Sequence, residues 1–508
     1  MESYSSATQS WLSWFMKGIL IFGFLFLLGR LIELQVIKGD YFRSLSDNNR
    51  IRRVPIPAPR GLILARGGEI LVGNRGYIRD YPLGEAFGHV SGYLGEAGPE
   101  EVGKVDPTCI EKGARRLGSL MGRGGLEEQY NCLLSGVNGE EIVEVDAVER
   151  IVRIMGRKDP IPGKDIKTNI DYKLQAESAK VMKGKKGVVI ISDPAGEILT
   201  LYSSPSFDPG SSVSKILNDK DLPLFNRAIG GLFHPGSVFK PLVAIAALEN
   251  GDIDKTFRYE DTGSISVKTL YGDFSYSNWY YSQYGKTEGE IDVVRAIARS
   301  TDTFFYKLGE MMGIEKLDEW MGKFGLDKRT GIDLPGEVEN LIPSPGWKLK
   351  EKNEKWFLGN TYHLAIGQGD LVLTPLSLNR IPLVIASGGK LCTLRIVNRE
   401  RMVNKNCEDL KIKKENLDLV KEGMVKACSM GGTGYTFFDW KGGQVGCKTG
   451  TAETNEDGKT HAWFTLFAPA DFPEIILTVL VEGGGEGSKV AGPIAREIMD
   501  FWNLQKHP

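Results

Sequence analysis

From Trp11 to Gly29 the chain reads WLSWFMKGILIFGFLFLLG, with Lys17 as its one charge, and the apolar character runs past Arg30 into LIELQVI. A helix of about 20 such residues spans a hydrocarbon layer roughly 30 Å thick. The pattern therefore predicts a transmembrane helix within residues 1–37. Arg30 and Glu33, three apart, can pair on one face where that helix leaves the bilayer. GRLIELQVIKGDYF offers no small-x-small cleavage site, so the segment is expected to stay attached as an anchor.

Beyond it, residues 38–165 are glycine-punctuated and rich in short β-type runs such as RGLILARGGEILVGN and GEEIVEVDAVERIVRIMGR. They predict hairpins and short helices, a spacer rather than an enzyme core. The texture changes over 166–508. TNIDYKLQAESAKVMKG is patterned as a helix, and GVVIISDPAGEILTLYSS as two apolar strands about a DPAGE turn. AWFTLFAPA and EIILTVLVEGG are strands, followed by a helix near PIAREIMDFW. Strands at both ends of a long helical middle predict an α+β domain whose sheet is closed by distant parts of the chain.

Composition narrows the chemistry. The 63 basic and 65 acidic residues leave a net charge of -2, too little field to gather nucleic acid. Six cysteines form no CxxC pair and five histidines are scattered, which argues against a zinc site; no metal and no cofactor are expected. An even cysteine count permits disulfides in an exported domain, and Cys392 and Cys407 could bridge the strands of one hairpin.

No GxSxG, HExxH, Walker or GxGxxG pattern is present. Ser-x-x-Lys survives, twice. Ser212 to Lys215 lies in the polar, turn-like SFDPGSSVSKILNDKD, with no helix to hold the two side chains together. Ser237 to Lys240 follows Pro235-Gly236 and opens SVFKPLVAIAALENG, apolar at helical spacing and ending at Gly251. At i and i+3 hydroxyl and amine share a face, and a buried lysine of lowered pKa can take the serine proton. Read alone, Ser237 is equally a helix cap and Lys240 a solvated first-turn residue.

Two further motifs decide between these readings. Ser300-Thr301-Asp302 sits between helix-like stretches, where a second serine and a polar partner can relay a proton; alone it is a good N-cap. Lys448-Thr449-Gly450-Thr451 shortly precedes the strand AWFTLFAPA. A strand edge with Gly450 lets a peptide backbone approach, while Lys448, Thr449 and Thr451 can hold a carboxylate. The order of the three motifs is far more specific than any one of them.

These motifs resemble those of the penicillin-recognising serine transferases. RLIELQVIKGDYFRSLSDNNRIRRVPIPAPRGLILARGGEILVGN, GRGGLEEQYNCLLSGVNG, FNRAIGGLFHPGSVFKPLVAIAALENG, GIDLPGE and AIGQGDLVLTPLSL extend the resemblance to class B penicillin-binding proteins of the elongation type. The resemblance implies an anchor (1–37), a mainly-β pedestal like the family's dimerisation domain (38–165) and a transpeptidase domain (166–508) with an antiparallel sheet flanked by helices. It also implies acylation of Ser237 by the penultimate D-alanine of a peptidoglycan stem peptide, and resolution of the ester by an amine of a neighbouring stem. Lys240 would be the acylation base, Ser300 and Asp302 the relay, and Lys448, Thr449 and Thr451 the donor carboxylate site beside Gly450. Backbone N–H groups of Ser237 and Thr451 would form the oxyanion hole. Asp302 stands where most relatives have asparagine. Some elongation relatives carry an Asp/His/Cys metal cluster before the second motif, but no His lies between His234 and His363 and no Cys between Cys132 and Cys392.

The resemblance further implies β-lactams as ligands, membrane lipid around the anchor, and a partner glycosyltransferase of the shape, elongation, division and sporulation (SEDS) family. The catalytic domain is expected outside the cytoplasmic (inner) membrane. Lys17, near the start of the apolar run, is the one basic residue on its N-terminal side, while Arg30, Lys38, Arg43, Arg50, Arg52 and Arg53 follow it, the opposite of the positive-inside pattern, but long domains translocate largely regardless of charge. A D,D-carboxypeptidase or β-lactamase shares the first half-reaction, septal use is the alternative to elongation, and a non-catalytic wall-synthesis scaffold is the reading from another class.

Overall fold

The computed structural model describes residues 7–506 apart from 147, 270–271, 399–406 and 455–457. It divides into two compact units, residues 1–59 with 136–163 and residues 60–135 with 164–508.

In the first unit a helix runs Ala7–Ile32 and closes with a π-helical turn, Glu33–Ile37. Trp11–Ile37 is long and apolar enough to cross a membrane, and none of its most apolar stretch is buried. Glu33 receives both Arg30 and Lys38 where the apolar run ends. The helix Gly39–Arg50 leads into a three-stranded antiparallel sheet of Ile51–Ile56, Gly139–Val145 and Ile151–Lys158, with the middle strand contributed from later in the chain.

The compact units do not follow the 38–165 boundary expected from sequence. Strand Ile63–Leu64 pairs in parallel with Ile166–Lys167, Gln175 donates to the carbonyl of Ala86, and Tyr130 donates to Asp333. Residues 60–135 thereby share a core with the C-terminal part, including Ile63, Leu71, Val90 and Leu126. Within them Glu127 is fully buried and accepts from Arg60 Nε at 2.5 Å and Arg79 Nε at 2.7 Å.

The larger unit is organised on a five-stranded antiparallel sheet of β1 (Gly187–Ser192), β2 (Ile198–Ser204), β3 (Gly446–Glu453), β4 (Thr460–Ala468) and β5 (Ile475–Val481), in the order β2-β1-β5-β4-β3. β1 lies beside β5 in register Val189↔Val479, so distant parts of the chain close the sheet, as the apolar runs predict. Side chains alternate across it. Val189, Ile191, Phe464 and Val479 face a layer containing Leu174 and Ile498; Val188, Ile190, Trp463 and Leu480 face the other core, with Phe239 and Leu242. Strands buried on both faces explain why these runs read as continuously apolar rather than alternating.

All six cysteines are paired, Cys109–Cys132, Cys392–Cys407 and Cys428–Cys447. The Cys392–Cys407 pair joins two strands directly opposed in register.

Candidate active site

Ser237 lies on a tight turn, Gly236–Phe239, leading straight into α1 (Lys240–Glu249), whose residues through Leu248 are buried. Pro241 fits the first turn of α1 because the missing N–H is one that a helix start leaves unpaired. Gly236 has φ of 58° and donates its N–H to the carbonyl of Gly367 at 2.8 Å; a Cβ there would sit 3.0 Å from the carbonyl oxygen of Thr451. The Ser237 turn is thus wedged against β3. Ser212 and Lys215, by contrast, are exposed on a separate 3-10 turn, and Ser212 hydrogen-bonds Ser214.

Lys240 is fully buried. Its Nζ donates to Asp302 Oδ1 at 2.6 Å, Ser300 O at 2.8 Å and Ser300 Oγ at 3.2 Å. Among the described residues no hydrogen bond joins it to Ser237, although the two share a helix face. A carboxylate outcompetes a neutral hydroxyl for a buried ammonium, because a charge-assisted bond is about twice as strong. Burial pushes the Lys240 pKa below its usual value, and Asp302 pulls it back up.

Ser300 ends helix α2 (Val293–Arg299) in the left-handed region, φ 58° and ψ 38°, a conformation costing a non-glycine residue roughly 1–2 kcal/mol. That turn brings both its carbonyl and its hydroxyl to Lys240. Lys448, on β3 and also fully buried, donates to Ser300 Oγ at 2.8 Å. Desolvation first, then the nearby Lys240 charge, hold Lys448 well below the ordinary lysine range, with Asp302 opposing. Ser300 Oγ accepts from two amines, so its own proton is free to be donated elsewhere. Asp302 opens α3 (Asp302–Lys323), where a negative side chain suits the helix N-terminus.

β3 is the edge of the sheet. Thr451 O faces the Gly236 turn, with Gln368 Nε2 3.5 Å away, and Thr449 O accepts from Lys448 at 3.1 Å. In an extended strand N–H and C=O of one residue point to the same side, and residues i and i+2 agree. The N–H groups of Thr449 and Thr451 therefore point away from β4, towards the Ser237 side. Thr449 Oγ1 lies 2.8 Å from Thr433 Oγ1, and Thr451 Oγ1 accepts from the N–H of Gly487. Gly450 also packs closely on protein: a Cβ there would lie 3.0 Å from both Trp463 Cβ and Val238 Cγ1, so its absence lets the Ser237 turn sit on the sheet.

All three sequence motifs converge here. Thr433, Gln368, Asn278 and Trp279, the last two bonded to Asp302, were not singled out by spacing, because they reach the site from three separate segments; Gln368 alone lay within a stretch, AIGQGDLVLTPLSL, that carries a resemblance.

A serine at a helix start, two buried lysines bridged by a second serine, and an open strand edge define a serine acyltransferase layout. Residues 187–500 match the penicillin binding protein transpeptidase domain, and residues 75–168 the penicillin-binding protein dimerisation domain. The chain belongs to the penicillin-binding protein transpeptidase family. A peptidoglycan D,D-transpeptidase of Acinetobacter baumannii, MrdA, is 30% identical over 97% of this chain and 87% of its own. PBP2 of Pseudomonas aeruginosa, solved in complex with WCK 5153, superposes with a TM-score of 0.77 at 32% identity, covering 89% of this chain and 96% of that one. A chain from a structure describing coordination of polymerization and crosslinking by a peptidoglycan synthase complex gives a TM-score of 0.77 at 27% identity, over 97% and 98%. Within the family these relatives place the chain in the class B, elongation-type group of penicillin-binding protein 2.

Proposed function

We infer that this chain is a peptidoglycan D,D-transpeptidase of cell-wall elongation, acting by acyl transfer through Ser237. The observation that carries the residue assignment is the meeting of Lys240 and Lys448 on Ser300 Oγ beside the Ser237 turn. Neutral Lys240 takes the Ser237 proton as Oγ attacks the penultimate D-alanine carbonyl. The Ser237 and Thr451 N–H groups receive the oxyanion. Collapse breaks the peptide bond, the Ser300 hydroxyl relays a proton to the departing D-alanine nitrogen, and an ester remains on Ser237. An amine of a second stem then attacks the ester, forms the new amide and returns the proton to Ser237. Lys448, Thr449 and Thr451 hold the donor's terminal carboxylate, with Asp302 keeping Lys240 in place.

The test is labelling with a fluorescent penicillin and peptide mapping, with Ser237→Ala as control. An adduct on Ser237 supports the assignment; none, or one on Ser212, overturns it. Stem-peptide products then separate cross-linking from hydrolysis by a D,D-carboxypeptidase.

Two further results are expected. Acylation should rise with pH through a midpoint below 10.5, the usual lysine value, because only the neutral amine accepts a proton. A pH-independent rate would remove Lys240 as the base. Gly236→Ala should slow acylation about tenfold, since a left-handed alanine is strained and its methyl crowds Thr451 O; a labelling time course at unchanged rate would show that the wedge is dispensable.

Three disulfides suit an oxidising compartment, which supports a single-pass anchor in the cytoplasmic membrane with the catalytic domain outside. Residues 1–37 serve as that anchor, 38–165 as a spacer whose residues 60–135 pack into the core of the catalytic part, and 166–508 as the catalytic domain. A SEDS-family glycosyltransferase is the proposed membrane partner, supported by the similarity to a chain of a peptidoglycan synthase complex.

A further inference from the structure

Asp302 is held from behind as well as from the front. Its backbone N–H donates to Asn278 Oδ1 at 3.1 Å, and its Oδ2 accepts from the N–H of Trp279 at 2.9 Å. Asn278 is fully buried, and its Nδ2 donates to Asp261 Oδ2 at 3.1 Å. Only this amide orientation satisfies both partners, because the reverse would set NH₂ against an N–H and a carbonyl oxygen against a carboxylate. Asp261, 1% exposed, also accepts from the N–H groups of Gly263 and Glu288 and from Thr303 Oγ1, the residue after Asp302. Among the described residues a single buried carboxylate thus collects four donors, from Gly263, Asn278, Glu288 and Thr303, and fixes the amide that grips Asp302.

We propose that Asp261 and Asn278 are positioning residues for acylation, aligning the Asp302 carboxylate so that it holds the Lys240 amine beside Ser237. The inference rests on the assignment of Lys240 as base. Loss of the Asn278 amide frees the Asp302 backbone and lets its carboxylate turn from Lys240. The groups facing Asp302 are Lys240 from α1, Lys448 from β3 and Tyr306 from its own helix; Tyr259 faces Asp261. With the carboxylate turned away, desolvation acts on Lys240 without the opposing pull of Asp302, and it favours the neutral form.

The experiment measures the second-order rate of acylation by a fluorescent penicillin against pH for the full-length protein, Asn278→Ala and Thr303→Val. Asn278→Ala should acylate about tenfold more slowly at its plateau, with the acid limb shifted to lower pH. Thr303→Val, nearly isosteric and removing one donor to Asp261, should shift the limb the same way by less. Melting curves establish that each variant is folded. A slower rate with an unmoved acid limb in both variants, or an unchanged rate, overturns the proposal while leaving Lys240 as base. Failure of the unaltered protein to acylate at Ser237 overturns the site assignment and this proposal with it.

Discussion

Lys240→Met is expected to slow acylation of Ser237 about 10³-fold, within the range a general base supplies. It should also destabilise the domain by about 3–5 kcal/mol, because Asp302 is left as a buried charge without its partner. The two effects separate in Lys240→Met/Asp302→Asn, where no lone carboxylate remains. Stability should largely return while acylation stays low. Stopped-flow labelling and thermal melting read the two quantities independently. Recovery of acylation in the double variant would mean that the lysine serves packing and that another group accepts the proton.

The other large effect is expected outside the three motifs, at Glu127. Glu127→Ala should lower stability by about 3–5 kcal/mol, since Arg60 and Arg79, with side chains 9% and 4% exposed, both lean on that one buried carboxylate. Burial already pushes the Arg60 pKa down and Glu127 holds it up, so the variant leaves two mutually repelling cations away from water. A melting temperature lowered by several degrees, partly recovered in Glu127→Ala/Arg79→Met, is the expected result. No change in melting temperature would mean that the arginines reach solvent once released.

Much of this architecture was legible in the sequence, for physical reasons that differ by element. The strands β1, β2, β4 and β5 showed as dense β-branched and apolar runs because both faces of the sheet are covered. The pattern of TNIDYKLQAESAKVMKG marked the helix Tyr172–Val181, and the structure adds its cap, Asp171, which accepts from the N–H groups of Lys173 and Leu174. Ser237, Lys240, Ser300, Asp302 and Lys448 stood out because serine acyl transfer calls for those residue types in that order, and the structure draws Lys240, Ser300, Asp302 and Lys448 into one hydrogen-bonded cluster beside the Ser237 turn. The place of residues 60–135 was hidden, since a two-residue parallel pairing and a tyrosine on Asp333 leave no periodicity. Asp261 and Asn278 were equally invisible: an aspartate ending a short strand and an asparagine before a helix look like ordinary turn residues, and only the fold reveals that both are buried.

The pairing of β1 with β5 bears on the order in which the molecule can be built. Gly187 and Val481 are neighbours in the sheet although nearly the whole domain lies between them in sequence. A polypeptide made from its N-terminus must carry the β1–β2 hairpin, and the helix α1 that follows the Ser237 turn, without their central neighbour until the final strands emerge. Closing so long a loop is slow, and a lone hairpin is marginal in water. Acylation competence should therefore be the last property gained during synthesis, and loss of β5 should remove it even though every catalytic side chain is already present.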